Sequence, residues 1–190
     1  KSIAAATEMV FSAARKGLNV SSVFPSGIIG PGDVLGGSFT SMAKSFLTGK
    51  LPFAVRGGYD FVDVRDVAKG ILACAESGEP GKGYILSGHY ITIRRMLQIV
   101  GKAARLIYRP ICLPLKLARL AAPYYERRCL NEKKPLFFTP YSIAVLGSNG
   151  RFTHDAATER FAYRPRPIEE TLRDMTAWLV KQKAKAGSAT

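Results

Sequence analysis

Two segments constrain this chain more than anything else in it: residues 20–33, VSSVFPSGIIGPGD, and residues 57–88, GGYDFVDVRDVAKGILACAESGEPGKGYILSG. The first passes from a β-branched, alternating stretch into Pro25, Ser26 and Gly27. That is the pattern of a buried strand ending in a loop whose backbone approaches something closely. In α/β sheets, ligands bind where strand ends open onto such loops. The second segment reads as a strand over residues 60–64, a helix capped by Asp66, a turn rich in Gly and Pro, and a strand over residues 84–87. With a further strand over residues 19–24, the alternation of strands and helices predicts an α/β fold built on a doubly wound parallel sheet.

At these residues the chain resembles the extended short-chain dehydrogenase/reductase superfamily, within its NAD-dependent epimerase/dehydratase group. The strings PSGIIGPGD and GGYDFVDVRDVAKGI are most similar to the dihydroflavonol-reductase and hydroxysteroid-dehydrogenase-like branch. Residues 152–178 also resemble the stretch that closes those proteins. The resemblance implies a Rossmann-like domain, NAD or NADP as cofactor, and hydride transfer on a secondary alcohol or ketone, as oxidoreductase or epimerase. It implies that Pro25, Ser26, Gly27 and Ile28 meet the nicotinamide end of the cofactor, Gly27 permitting close approach and Ser26 offering a hydroxyl. It implies that Phe39, Met42 and the segment near Tyr141 line a substrate cleft. Tyr59 joins them because a phenol at a strand start reaches a ligand. For each of these, plain core packing is the competing role.

Residues 2–15 read as the body of an Ala-rich helix that stops at Gly17. In the family, a strand, a glycine-rich turn and the catalytic Tyr precede this helix. The expectation is therefore a C-terminal portion, with the proton-exchanging Tyr, its Ser partner and the phosphate-binding glycines in a missing N-terminal segment. Alignment with the family helix puts the lysine of the YxxxK motif on Ile3, which cannot lower the pKa of a tyrosine. A register slipped by two residues puts it on Lys1 instead. The first register leaves no catalytic residue in the chain and opens a second reading, a non-catalytic dinucleotide-binding or scaffold protein.

The string GPGDVLGG at residues 30–37 imitates a dinucleotide fingerprint, but Leu35 stands where the third glycine is needed. It reads as a loop over the site. Hydrophobic residues make up 47% of the 190, enough for a packed core and too many for disorder. No stretch reaches the roughly 18 apolar residues of a membrane span, and residues 1–20 lack the order of a signal peptide, so a cytoplasmic location is expected. Cys74, Cys112 and Cys129 lack metal-ligand spacing and read as reduced thiols. His89 and His154 are isolated and suit turns or caps, so no metal is expected.

A net charge of +14 raises nucleic acid as a partner, yet no nucleic-acid motif accompanies it. Between residues 94 and 134 lie eleven Lys and Arg against Glu126 and Glu132, interleaved with apolar residues. This is the pattern of amphipathic helices with a wet basic face. It also suits a phosphorylated small-molecule substrate or an anionic membrane surface. Residues 1–90 are expected in the C-terminal part of the Rossmann-like domain and residues 91–180 mostly in a small, mostly helical substrate-binding lobe that returns to the sheet domain, its helices cut into short pieces by Pro110, Pro114, Pro123, Pro135 and Pro140. Residues 181–190 read as a disordered basic tail. Asp63, Arg65 and Asp66 read as a helix cap and its counter-charge. By resemblance, the first helix is expected to build a homodimer.

Overall fold

The computed structural model describes residues 2–51, 53–107, 110–132, 136–148 and 150–187. Helix α1 (Ser2–Arg15) leads into two short strands, β1 (Ser22–Pro25) and β2 (Gly27–Ile29), separated by Ser26 alone. Then come α2 (Ser38–Leu47), β3 (Phe53–Val55), β4 (Gly58–Asp63), α3 (Val64–Ser77), β5 (Gly83–Leu86), β6 (His89–Thr92) and α4 (Ile93–Ala103). The last stretch holds β7 (Ile111–Leu113), α5 (Leu115–Asn131), α6 (Pro140–Leu146), α7 (Asp155–Phe161) and α8 (Ile168–Gly187).

β1 runs parallel to β5, with Phe24 opposite Ile85. β2 runs parallel to β4, with Gly27 opposite Phe61, and β6 closes the other side of β4 antiparallel. The parallel α/β fold expected from the alternating pattern is present. The strand expected over residues 19–24 is β1, over Ser22–Pro25, and the loop expected after it holds a second strand, β2: the chain switches at Ser26 from pairing with β5 to pairing with β4. The apolar residues follow this geometry. A large core gathers Met42, Phe46, Leu51, Val55, Met96, Val100, Phe138, Leu172 and Met175 under α2, α4 and α8. A smaller one holds Val62, Val67, Cys74, Tyr84, Leu86 and Tyr163 between β5, α3 and α7.

Four local expectations are corrected. The cap of α3 is Asp63, whose carboxylate accepts a hydrogen bond from the Arg65 backbone N–H; Asp66 lies inside the first turn. Its position within that turn frees Asp66 for a distant partner. Residues 111–113, expected among short helical pieces, form the strand β7, which pairs in parallel with β3, Phe53 against Ile111. Pro123 does not break the chain but sits inside the 17-residue α5. Pro123 and Arg119, whose carbonyl loses a helical donor to the proline ring, are both exposed residues, so the unpaired carbonyl is not forced into the core. Finally, α8 continues to Gly187, so residues 181–187 are helical and only 188–190 of the expected tail lie outside the described residues. Lys, Gln and Ala in that stretch are good helix formers that extend a helix already anchored by Leu172, Met175 and Leu179.

Candidate functional site

Ser26 is placed by its backbone. Its N–H donates to the Leu86 carbonyl at 3.2 Å, the last tie between β1 and β5 before the chain crosses to β4. Its Oγ is buried and has no hydrogen-bond partner among the described residues. A buried hydroxyl left unpaired costs about 1–3 kcal/mol, so the position is understandable where a ligand completes it. Beside it, a Cβ added to Gly27 would lie 2.8 Å from the Phe61 ring and 3.1 Å from the Asp60 carbonyl. No side chain fits there. Ile28 then turns outward, 49% exposed, and Ile29 inward, while Pro25 is exposed. The four residues thus present a hydroxyl, bare backbone and an apolar side chain at the carboxyl end of a parallel strand.

The loop that follows is organised by Asp33. Its carboxylate accepts hydrogen bonds from the N–H groups of Gly36 at 3.0 Å and Gly37 at 2.7 Å. The Thr40 hydroxyl, with these amides, holds the carboxyl below its usual range against the opposing effect of burial. GPGDVLGG is therefore an Asp-centred turn that launches α2.

From Phe61 a run of aromatic rings leads away from Gly27. Phe39 lies 5.8 Å from Phe61, Tyr59 lies 6.0 Å from Phe61 edge-on, and Phe152 lies 5.5 Å from Tyr59 edge-on. Burial, then Tyr141 and Asp60 nearby, push the Tyr59 phenol above its usual pKa, so it stays protonated and able to donate. Tyr141 is 79% exposed on α6, whose start is fixed by reciprocal hydrogen bonds between Thr139 and Ser142. The structure thus brings together Gly27, Phe39, Tyr59 and Tyr141. It does not bring Met42, which is buried in the large core beneath α2. Lys1 and the Ile3 side chain lie outside the described residues. Phe61 and Phe152 join the wall without having been singled out. Phe61 had a signal, the alternation of the FVDV strand, whereas Phe152 arrives from a distant loop.

Behind this wall lies an ionic cluster. Arg65 donates to Asp63 from Nε at 2.9 Å and Nη2 at 2.7 Å, and reaches Asp174 at 2.8 Å. Arg166 donates its backbone N–H, Nε and Nη2 to Asp66 within 3.0 Å and also meets Glu170 at 3.1 Å. Burial opposes the charge on Asp63, but hydrogen bonds from Arg65 outweigh it and bring its pKa below the ordinary value. Asp60 accepts from the Gly88 N–H at 2.8 Å, fixing the turn between β5 and β6. His154 Nδ1 pairs with the Ser87 hydroxyl at 2.9 Å, and His89 Nε2 with the Arg166 carbonyl at 3.0 Å. Both histidines tie loops to the sheet. Among the described residues no group of three His, Cys, Asp or Glu could hold a metal ion, and no helix is long and apolar enough to cross a membrane.

Against known proteins, residues 2–87 match the model of the NAD dependent epimerase/dehydratase family. A curated relative, sterol demethylase protein B of Methylococcus capsulatus, is 29% identical over 167 residues, covering 86% of this chain and 50% of its own. The crystal structure of gox2253 superposes with a TM-score of 0.75 at 26% identity, over 92% of this chain and 53% of that one. The Bordetella bronchiseptica enzyme WbmF, solved with NAD+ and UDP, gives a TM-score of 0.69 at 18% identity over 96% of this chain and 52% of its own. The chain therefore spans about half the length of the curated relative and has the fold of these solved structures.

Proposed function

We propose, from the match of residues 2–87 to the NAD dependent epimerase/dehydratase family and from the site those residues build, that this chain forms the nicotinamide-facing and substrate-facing part of an NAD(P)-dependent oxidoreductase or epimerase. Its substrate is a small molecule with a secondary alcohol or ketone. The observation that carries the reading is the unpartnered, buried Ser26 Oγ next to Gly27, where the chain changes strands. A hydroxyl without a partner and a backbone without room for Cβ suit a flat ring with a polar edge, and a nicotinamide carboxamide is such an edge. When bound, the dinucleotide supplies hydride exchange with the substrate carbon.

The chain's own residues supply position and environment. Ser26 orients the ring edge, Gly27 admits it, and Ile28 covers it. Phe39, Tyr59, Phe152 and Tyr141 offer an apolar wall with two phenols, suited to an apolar or ring-bearing substrate. Ile3 at the motif lysine position favours a second reading, dinucleotide binding with little turnover, because an alkyl chain cannot stabilise a tyrosinate.

Titration with NADH and NADPH, followed by nicotinamide fluorescence, tests the first part. Saturable enhancement by at least one dinucleotide is expected. Ser26→Ala should weaken it by about fivefold to tenfold, the worth of one hydrogen bond to a buried group. Indifference to both dinucleotides would defeat the reading. Binding without turnover would support the second one.

A further inference from the structure

We propose that a cavity between α2, α4, β3 and β7 binds a small amphiphile with a phosphate head. The proposal does not rest on the dinucleotide reading, and the cavity shares no lining residue with the Ser26 site. Its volume is about 640 Å³, within the range of small-molecule sites. Four cations line it: Arg56 from the end of β3, and Arg94, Arg95 and Lys102 from α4. Phe46, Leu97 and Leu106 supply apolar lining.

The arrangement is more than a wetted helix face. On α4, Arg94, Gln98 and Lys102 recur every four residues and share one side. Met96, Ile99 and Val100 are buried in the core. Among the described residues the only carboxylate paired with any of the four cations is Glu169, 3.9 Å from Arg95. Gathering like charges around one concavity is unfavourable unless an anion compensates them. Arg94 and Arg95 moreover lie in the first turn of α4, where the helix dipole disfavours positive charge, so helix stability does not account for them. Guanidinium forks bind carboxylate and phosphate oxygens in pairs, and of the two anions phosphate carries the larger charge to set against four cations.

The apolar half of the ligand has a path. Leu106 also lines a neighbouring cavity of about 560 Å³ with Leu47, Leu179 and Val180, rimmed by Lys44 and Lys183. Ile107 and Ile111, 94% and 73% exposed, follow or fall between lining residues and leave further apolar surface at the edge. A phosphate head and a short acyl chain therefore find matching surfaces in two cavities that share Leu106.

Isothermal titration of the full chain with monomeric dihexanoyl phosphatidic acid tests this. Saturable binding is expected, much tighter than that of inorganic phosphate or dihexanoyl phosphatidylcholine. Arg94→Ala with Lys102→Ala should weaken it about tenfold or more. Arg119→Ala with Arg127→Ala on α5, an equal loss of charge, should change it by about twofold at most. Thermal melts of both double variants confirm that they fold. Equal weakening by both pairs, or inorganic phosphate binding as tightly as the lipid, would overturn the proposal. Vesicles of phosphatidylcholine doped with phosphatidic acid separate the sources. Binding to monomer and vesicle points to a bilayer lipid, and binding to monomer alone to a soluble phosphorylated amphiphile. Binding to vesicles alone would remove the cavity from the account.

Discussion

At the scale of single residues, the strongest energetic commitments lie in the ionic cluster rather than at the ligand face. Asp63 is buried and takes three hydrogen bonds from Arg65, and Arg166 closes on Asp66 across 100 residues of sequence. Arg166→Ala leaves the buried Asp66 carboxylate without its counter-ion, which costs about 3–5 kcal/mol. Differential scanning calorimetry should show the melting temperature fall by about 6–20 °C for a chain of this length. The pH dependence has a definite sign. The folded pKa of Asp63 lies below its unfolded value, so its contribution is complete above about pH 4 and is lost as pH falls through the folded value. Asp63→Asn should therefore lower stability at pH 7 while flattening the decline of melting temperature below about pH 4. A variant whose acid decline is as steep as that of the parent would show that other carboxylates set it. Sequence reading placed Asp63, Arg65 and Asp66 at a helix start because strand and helix periodicities meet there. Arg166 carried no such mark, since nothing local ties it to a carboxylate 100 residues away.

At the scale of elements, periodicity made long, patterned segments legible and left short, distant pairings dark. β4, α3 and β5 follow from FVDV, the amphipathic run after it and the turn at 78–81. β3 and β7 are three residues each, are separated in the chain by β4, α3, β5, β6 and α4, and are joined only by tertiary pairing, so neither has enough length to show a period. The switch at Ser26 was visible as a loop signal, but two strands with one residue between them are a property of the sheets they join. Proline rules overruled α5 for a related reason: they describe an isolated helix, whereas here Ala118, Ala122 and Cys129 anchor the helix to the lobe on either side of Pro123. The cost is nevertheless still present. Pro123→Ala should restore the hydrogen bond to the Arg119 carbonyl and raise stability by about 1–3 kcal/mol, seen as a higher urea midpoint with an unchanged slope. A lower midpoint would mean that Pro123 itself helps to seat Tyr125 against Phe53, 5.3 Å away edge-on.

At the scale of the whole molecule, the site lies on a seam. β1 belongs with β5 and the smaller core, β2 with β4 and the sheet that backs the larger one, and Ser26 is the residue between them. A ligand held there touches both units, so its binding energy works against their separation. The smaller unit also keeps Phe24, Ile71, Leu72 and Ile85 substantially exposed, and its apolar set is short. Without ligand it is expected to open first, giving faster amide exchange in α1, β1 and β5 than in α4 and α8. A dinucleotide at 100 times its dissociation constant adds about 2.7 kcal/mol to the folded state, equivalent to about 5–10 °C in melting temperature for this length. The decisive reading is where protection appears. Under the proposed function, NADH or NADPH should slow exchange in β1 and β5 most, merging their opening with that of the larger core. If the melting temperature rises while protection gathers instead around α4, the dinucleotide phosphates are using the basic cavity, and Ser26 is not its site. If neither region changes, the seam is structural and the unpaired hydroxyl serves no dinucleotide.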